Sequence, residues 1–230
     1  MAARIIAITG AFGVLGQAVA KAAAAAGARL ALIDFAKEAP AGTPAGPDVL
    51  VLAGRDLTHA EHASATMDAV AERFGGLDVL LNVAGGFIWE TLQDGSPDSW
   101  PAMHRLNLVT AANASRAAIP HLKRSAAGRI VNVGSSAALK AGMGMGPYAA
   151  AKAGVHSLTQ ALSEELKGDD ITVNAVLPSI LDTPANRADM PGADPSAWVA
   201  PADLAAVMLF LASEAARAVT GALVPVTGRV

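Results

Sequence analysis

Residues 5–16 read IIAITGAFGVLG: a short run of apolar, mostly β-branched residues, then glycine at positions 10, 13 and 16, then a pattern that continues from Val14 as VLGQAVAKAAAAAG. The run suits a strand and the alanine-rich continuation suits a helix. Backbone N–H groups at the start of such a helix carry partial positive charge, and glycines there leave no side chain to block an approaching pyrophosphate. The same glycines would also allow tight packing of helix on strand. The surroundings have to decide between the two readings.

Seven runs of this kind punctuate the chain: RIIAIT (4–9), RLALID (29–34), DVLVLA (48–53), LDVLLNVAG (77–85), GRIVNVGS (128–135), ITVNAVLP (171–178) and GALVPVT (221–227). Helical patterns start between them near Val14, Ala60, Asp98, Tyr148 and Ala202. Continuous apolar strands alternating with helices predict a parallel sheet covered on both faces. The expected fold is α/β, a single doubly wound Rossmann domain over 1–230 with a seven-stranded parallel sheet flanked by helices. Boundary signals agree: Thr58 with Glu61 as a capping box, Ser96 before Pro97, and Gly75-Gly76 and Gly168 as helix ends. EAPAGTPAGPD (38–48) reads as a connection standing in for a helix. In a first strand–helix turn of this pattern, the glycines point to a dinucleotide.

Of 230 residues, 53% are hydrophobic and 16% charged, enough for a large core and too apolar for disorder. The net charge is −3 and basic residues do not cluster, so nucleic acid is not an expected partner. The chain has no cysteine, which excludes disulfides, thiolate catalysis and Cys-ligated metals and fits a cytoplasmic location. MAARIIAITGAFGVLGQAVAK offers the basic, apolar and A-x-A parts of a short signal peptide, but its glycines weaken the apolar helix a signal needs. No stretch reaches the ~20 apolar residues of a membrane helix.

Asp34 ends the second strand, where a carboxylate can accept from both adenosine ribose hydroxyls and repel a 2′-phosphate; this favours NAD(H) over NADP(H). Its alternative role is to form a turn, and Lys37, three residues on, could meet a phosphate. Asp56, in RDLT after the third strand, is read as an acceptor for the adenine amino group or as a residue of the turn before the helix, with Leu57 beside it. NVAGG, Asn82–Gly86, supplies small residues that let backbone lie against a cofactor.

Tyr148 is the chain's only tyrosine, and Lys152 follows it at helical i+4 spacing, on the same face. A free phenol titrates near pKa ~10, and a neighbouring ammonium would lower that toward a useful range. Ser135 stands at the end of the fifth strand, on the sheet edge where ligands bind; its neighbour Ser136 is the alternative.

TGAFGVLG, NVAG, RLNLVT, GRIVNVGSS and YAAAK occur in the order and spacing of the short-chain dehydrogenase/reductase family, which the chain resembles over essentially its whole length. The resemblance implies a catalytic set of Asn107, Ser135, Tyr148 and Lys152, with Asn107 holding a water that links Lys152 to solvent. It implies cofactor contacts from Gly10, Phe12, Gly13, Val14, Leu15, Gly16, Asp34, Asp56, Leu57, Asn82, Ala84, Gly85, Tyr148, Lys152, Pro178, Ile180 and Thr183. Hydride would pass between nicotinamide and a small carbonyl or alcohol substrate, with Tyr148 moving the proton. LDTPANRADMP and the glycine spacing are similar to the quinonoid dihydropteridine reductase branch; that branch lacks the serine, so Ser135 favours carbonyl chemistry. A dinucleotide sensor without turnover is the other alternative, and it would have no use for a proton donor.

The proline-rich segment 182–200 has no hydrophobic period and is expected to be a substrate lid. Phe87, Ile88, Trp89, Met143, Met145, Met190 and Trp198 are candidates for an apolar pocket or for ordinary packing. His59 and His62 share a helix face without an evident third ligand, so no metal site is expected. Apolar Val155, Leu158 and Leu162 beyond the sheet-facing positions suggest burial against another subunit, and the resemblance implies a homodimer or homotetramer.

Overall fold

In a computed structural model, which describes residues 3–230, the opening stretch forms strand β1 (Ile5–Thr9), the glycine turn and helix α1 (Val14–Ala25). There follow β2 (Arg29–Ile33), β3 (Val49–Leu52), α2 (Ala60–Phe74), β4 (Val79–Asn82), α3 (Ser99–Met103), α4 (Thr110–Leu122) and β5 (Arg129–Val133). Then come α5 (Gly146–Glu165), β6 (Thr172–Pro178), α6 (Pro184–Asp189), α7 (Pro201–Leu211) and β7 (Leu223–Val226). All seven strands pair in parallel, in the order β3-β2-β1-β4-β5-β6-β7.

Period-two alternation sends the strand residues to two separate layers. Ile8, Leu32 and Leu81, level with one another in the sheet, pack with Val19 of α1 and Leu204 and Met208 of α7. Ala7, Ala31 and Leu80 face the other way, onto Met67 and Val70 of α2 and Ala114 and Ala118 of α4. Chain order reverses between β1 and β4, and their carboxyl ends open a crevice there.

No helix forms between β2 and β3, as the Pro/Gly composition predicts. Gly75 closes α2 in the left-handed conformation, φ 84°. Other boundaries differ from expectation. Thr58 does not cap α2: its hydroxyl is drawn to Asp56 Oδ1 at 2.7 Å, and His59 takes the cap position without a side-chain bond. Ser96 precedes α3 by three positions, but its hydroxyl accepts from the Asp98 N–H. After α5 the left-handed residue is Asp170 rather than Gly168. The helix expected from Asp98 is continuous through α4, but residues His104–Val109 widen into a π-helical turn. Val155 and Leu162 are buried within the chain itself, which removes the reason for reading them as a subunit contact. Segment 182–200 is not structureless: it holds α6 and returns to the body through a bridge between Leu181 and Val199.

Candidate active site

A cavity of about 1100 Å³ follows the carboxyl edge of the sheet, ample for a dinucleotide. The glycine turn forms its floor. Gly10 has φ +64°, and a Cβ on it would come within 2.7 Å of the Ala84 backbone. A Cβ on Gly16 would come within 2.1 Å of the Gly10 carbonyl. These two glycines serve the fold. Gly13 is different: a Cβ there would meet protein only at 3.6 Å, so what it would fill is cavity. Gly13 also caps α1 without a side-chain bond, leaving the first N–H groups of a 12-residue helix directed at that space. The residues present therefore fit a pyrophosphate.

Thr9 ties this floor to the next loop: its hydroxyl accepts from the Val83 and Ala84 N–H groups at 3.1 and 3.2 Å. At the far end of the cavity, Asp34 is half-buried, and its carboxylate accepts from the Phe12 N–H and the Ala36 N–H, both at 2.9 Å. It thus forms the turn and faces the cavity at once. The Thr58 hydroxyl bonds Asp56 and holds it below the usual carboxylate range.

Tyr148 and Lys152 line the other end. Burial pushes the Tyr148 phenol above its usual range, and a hydrogen bond with Ser135 partly opposes this. The expected lowering by Lys152 is not found. The ammonium donates to the Val133 carbonyl at 2.8 Å and lies 5.9 Å from the centre of the Tyr148 ring, so desolvation of the phenol outweighs its attraction. Burial brings Lys152 itself down to about 8. Phe87 stands edge-on to Tyr148, ring centres 5.0 Å apart.

Asn107 sits in the π-turn, 1% exposed. Its Oδ1 accepts from the Gly86 N–H at 3.2 Å and its Nδ2 donates to the Gly86 carbonyl at 3.1 Å. It thereby holds both backbone polar groups of Gly86. Oδ1 and the Lys152 ammonium flank Gly85, at 2.5 and 3.4 Å from where its Cβ would be. Ser135 is buried at the corner after β5, its hydroxyl accepting from the Ala137 N–H.

Of the remaining sequence-predicted residues, Val14, Leu15, Leu57, Ala84, Gly85 and Thr183 line the cavity. Asn82, Ser135, Pro178, Ile180 and the Phe12 side chain do not. Asn82 points into the layer beneath, where it donates to Ser115 Oγ and Asn132 Oδ1; Asn132 in turn donates to Thr159. Of the apolar candidates Phe87 lines the cavity, whereas Trp198 is buried and Met143 is 78% exposed. Sequence reading missed Phe35, Arg55, Arg105 and Leu106 on the cavity wall. Phe35 lies two residues beyond β2 and Arg55 three beyond β3, at the ligand edge of the sheet, and Lys37 is not on the wall.

The short chain dehydrogenase profile matches residues 4–193. Meso-2,3-butanediol dehydrogenase of Serratia marcescens is 34% identical, the match covering 98% of this chain and 93% of that one. Among solved structures, a 3-ketoacyl-(acyl-carrier-protein) reductase from Brucella melitensis complexed with NADH superposes with TM-score 0.87 at 28% identity, covering 98% of both chains. Carveol dehydrogenase from Mycobacterium avium in complex with NAD gives TM-score 0.85 at 28% identity, over 99% of this chain and 97% of that one. With a glycine turn and a Tyr–Lys pair opening on one cavity, and such likeness over nearly its full length, the chain belongs to the short-chain dehydrogenase/reductase family of oxidoreductases.

Proposed function

We propose that the protein is an NAD(H)-dependent dehydrogenase/reductase acting on a small carbonyl or alcohol substrate, with Tyr148 moving the proton. The observation that carries this is the single cavity shared by the Gly10–Gly16 turn and the Tyr148–Lys152 pair. The turn and the N-terminus of α1 hold the pyrophosphate, Asp34 the adenosine ribose hydroxyls, and Asp56 and Leu57 the adenine. The Ala84-Gly85 backbone, Lys152 and Thr183 hold the nicotinamide end. Asp34 favours NAD(H), and the two solved relatives described with NADH and NAD agree.

When bound, the dinucleotide supplies or accepts the hydride. Tyr148, protonated at neutral pH like any phenol and shifted further upward by its burial, gives its proton to the oxygen that becomes an alcohol and recovers it in the reverse direction. Lys152, cationic below about pH 8, steadies the phenolate that this leaves. Ser135 holds the substrate oxygen by a hydrogen bond, and Asn107 fixes the Gly86 backbone and shares a flank of Gly85 with Lys152. Segment 182–200 closes over the substrate, and Phe87 forms an apolar wall beside it.

NADH oxidation over a panel of vicinal diketones, cyclic ketones, 3-keto acids and a quinonoid pterin tests the reading. At least one ketone should be reduced. Tyr148→Phe should lose ~10²–10⁴-fold in turnover while NADH binding, followed by fluorescence, stays within about twofold. Full turnover by that variant would overturn the assignment of Tyr148, and activity on the pterin alone would overturn the substrate class.

A further inference from the structure

We infer that His156 is a positioning residue for Ser135, acting through the serine's backbone amide and not through its hydroxyl. The inference rests on the proposed reading insofar as it gives Ser135 a role. The corner after β5 creates the need. Gly134 still donates to the sheet, its N–H reaching the Val176 carbonyl at 2.9 Å, but Ser135 turns out of the ladder and its buried N–H requires another acceptor. His156, one helical turn after Lys152 on α5, supplies it: Nε2 accepts from the Ser135 N–H at 3.3 Å. Both residues are buried, with relative exposures of 4% and 6%. Gly134 makes the approach possible, since a Cβ there would stand 2.5 Å from Nε2.

Acceptance at Nε2 fixes the tautomer, with the ring proton on Nδ1. Burial, and then the nearby Lys152 charge, hold His156 below its usual range. From the strands packed against the ring come the Gly134 and Ser135 backbone and, on β6, apolar Leu177, which lies against the same glycine; the charged neighbour is Lys152 on its own helix. At neutral pH the imidazole is therefore an uncharged acceptor. On acidification Nε2 gains a proton and faces the amide donor to donor. The corner must then shift, carrying with it the hydroxyl that contacts Tyr148. Ser135 is thus set by a group whose acceptor strength depends on pH.

Two measurements decide the matter. Imidazole ¹⁵N NMR of the wild-type protein should show the neutral Nδ1–H tautomer and a titration below pH 6.5, with the Ser135 amide shifting in step. An Nε2–H tautomer, or a Ser135 amide indifferent to the titration, overturns the inference. In kinetics with the ketone reduced fastest by wild type, His156→Leu should cut kcat/KM about tenfold while the NADH Kd stays within about twofold. His156→Gln, whose amide oxygen can replace Nε2 without titrating, should restore activity to within about threefold and flatten the acidic limb of the pH profile. Indistinguishable profiles for all three proteins overturn the inference. If wild type reduces no ketone, the proposed function fails instead, and the NMR result still decides the role of His156.

Discussion

A buried ammonium is costly to hold at neutral pH, and Lys152 is one, 5% exposed with the Val133 carbonyl as its hydrogen-bond partner. Its folded pKa of about 8 lies below the usual 10.5. The unfolded chain therefore keeps this proton more readily, and the group's contribution to stability rises with pH between those values; at pH 7 the full penalty is present. Lys152→Met is expected to stabilise the cofactor-free protein by on the order of 1–2 kcal/mol, roughly 2–8 °C in Tm, with the gap narrowing above pH 8. Calorimetry showing an unchanged or lower Tm would contradict this. On the proposed reading the same proton governs the rate: kcat/KM for ketone reduction should hold from neutral pH to near pH 8 and fall beyond it as Lys152 loses its charge. Spacing in the sequence was enough to pair Tyr148 with Lys152. It pointed to a lowered phenol pKa, which is the wrong direction, because the shift depends on burial, and burial belongs to the assembled fold.

Among the elements, the glycine turn separates two roles that look alike in sequence. Gly16→Ala would press a methyl group into the Gly10 carbonyl and should cost roughly 2–4 kcal/mol in urea unfolding, the scale of the larger core disruptions. Gly13→Ala has room in the protein; its unfolding free energy should stay within about 0.5 kcal/mol while dinucleotide affinity drops at least tenfold. Equal effects of the two on stability would undo the distinction. The π-turn of Asn107 was hidden from the sequence, since widening a helix by one residue leaves no mark on side-chain pattern, and such turns favour functional sites. Asn107→Leu leaves the half-buried Gly86 N–H and carbonyl without their side-chain partner, an expected loss of about 1–3 kcal/mol by denaturant unfolding. The missed cap at Thr58 has a related cause: a nearer carboxylate, Asp56, competes for the hydroxyl.

Over the whole molecule, the cavity lies on the seam where chain order reverses between β1 and β4, so a bound dinucleotide touches both halves of the sheet. NADH at a hundred times its Kd should add ~2.7 kcal/mol to global stability; a Tm independent of NADH concentration would mean that the seam does not bind it. The seam was legible because alternating strands and helices constrain topology so tightly. Phe35 and Arg55 were not, because β2 and β3 are brought level only by the register of the finished sheet, Ile33 beside Leu52. The helix-free crossing from β2 to β3 carries one more consequence. Its exposed middle, around Pro40–Gly46, holds no strand or helix, yet it begins beside Asp34 and Phe35 on the cavity wall. A fluorescent domain spliced into that coil would leave every strand pairing intact, and its emission would report whether the enzyme is loaded, making a biosensor of a connection that the fold left bare.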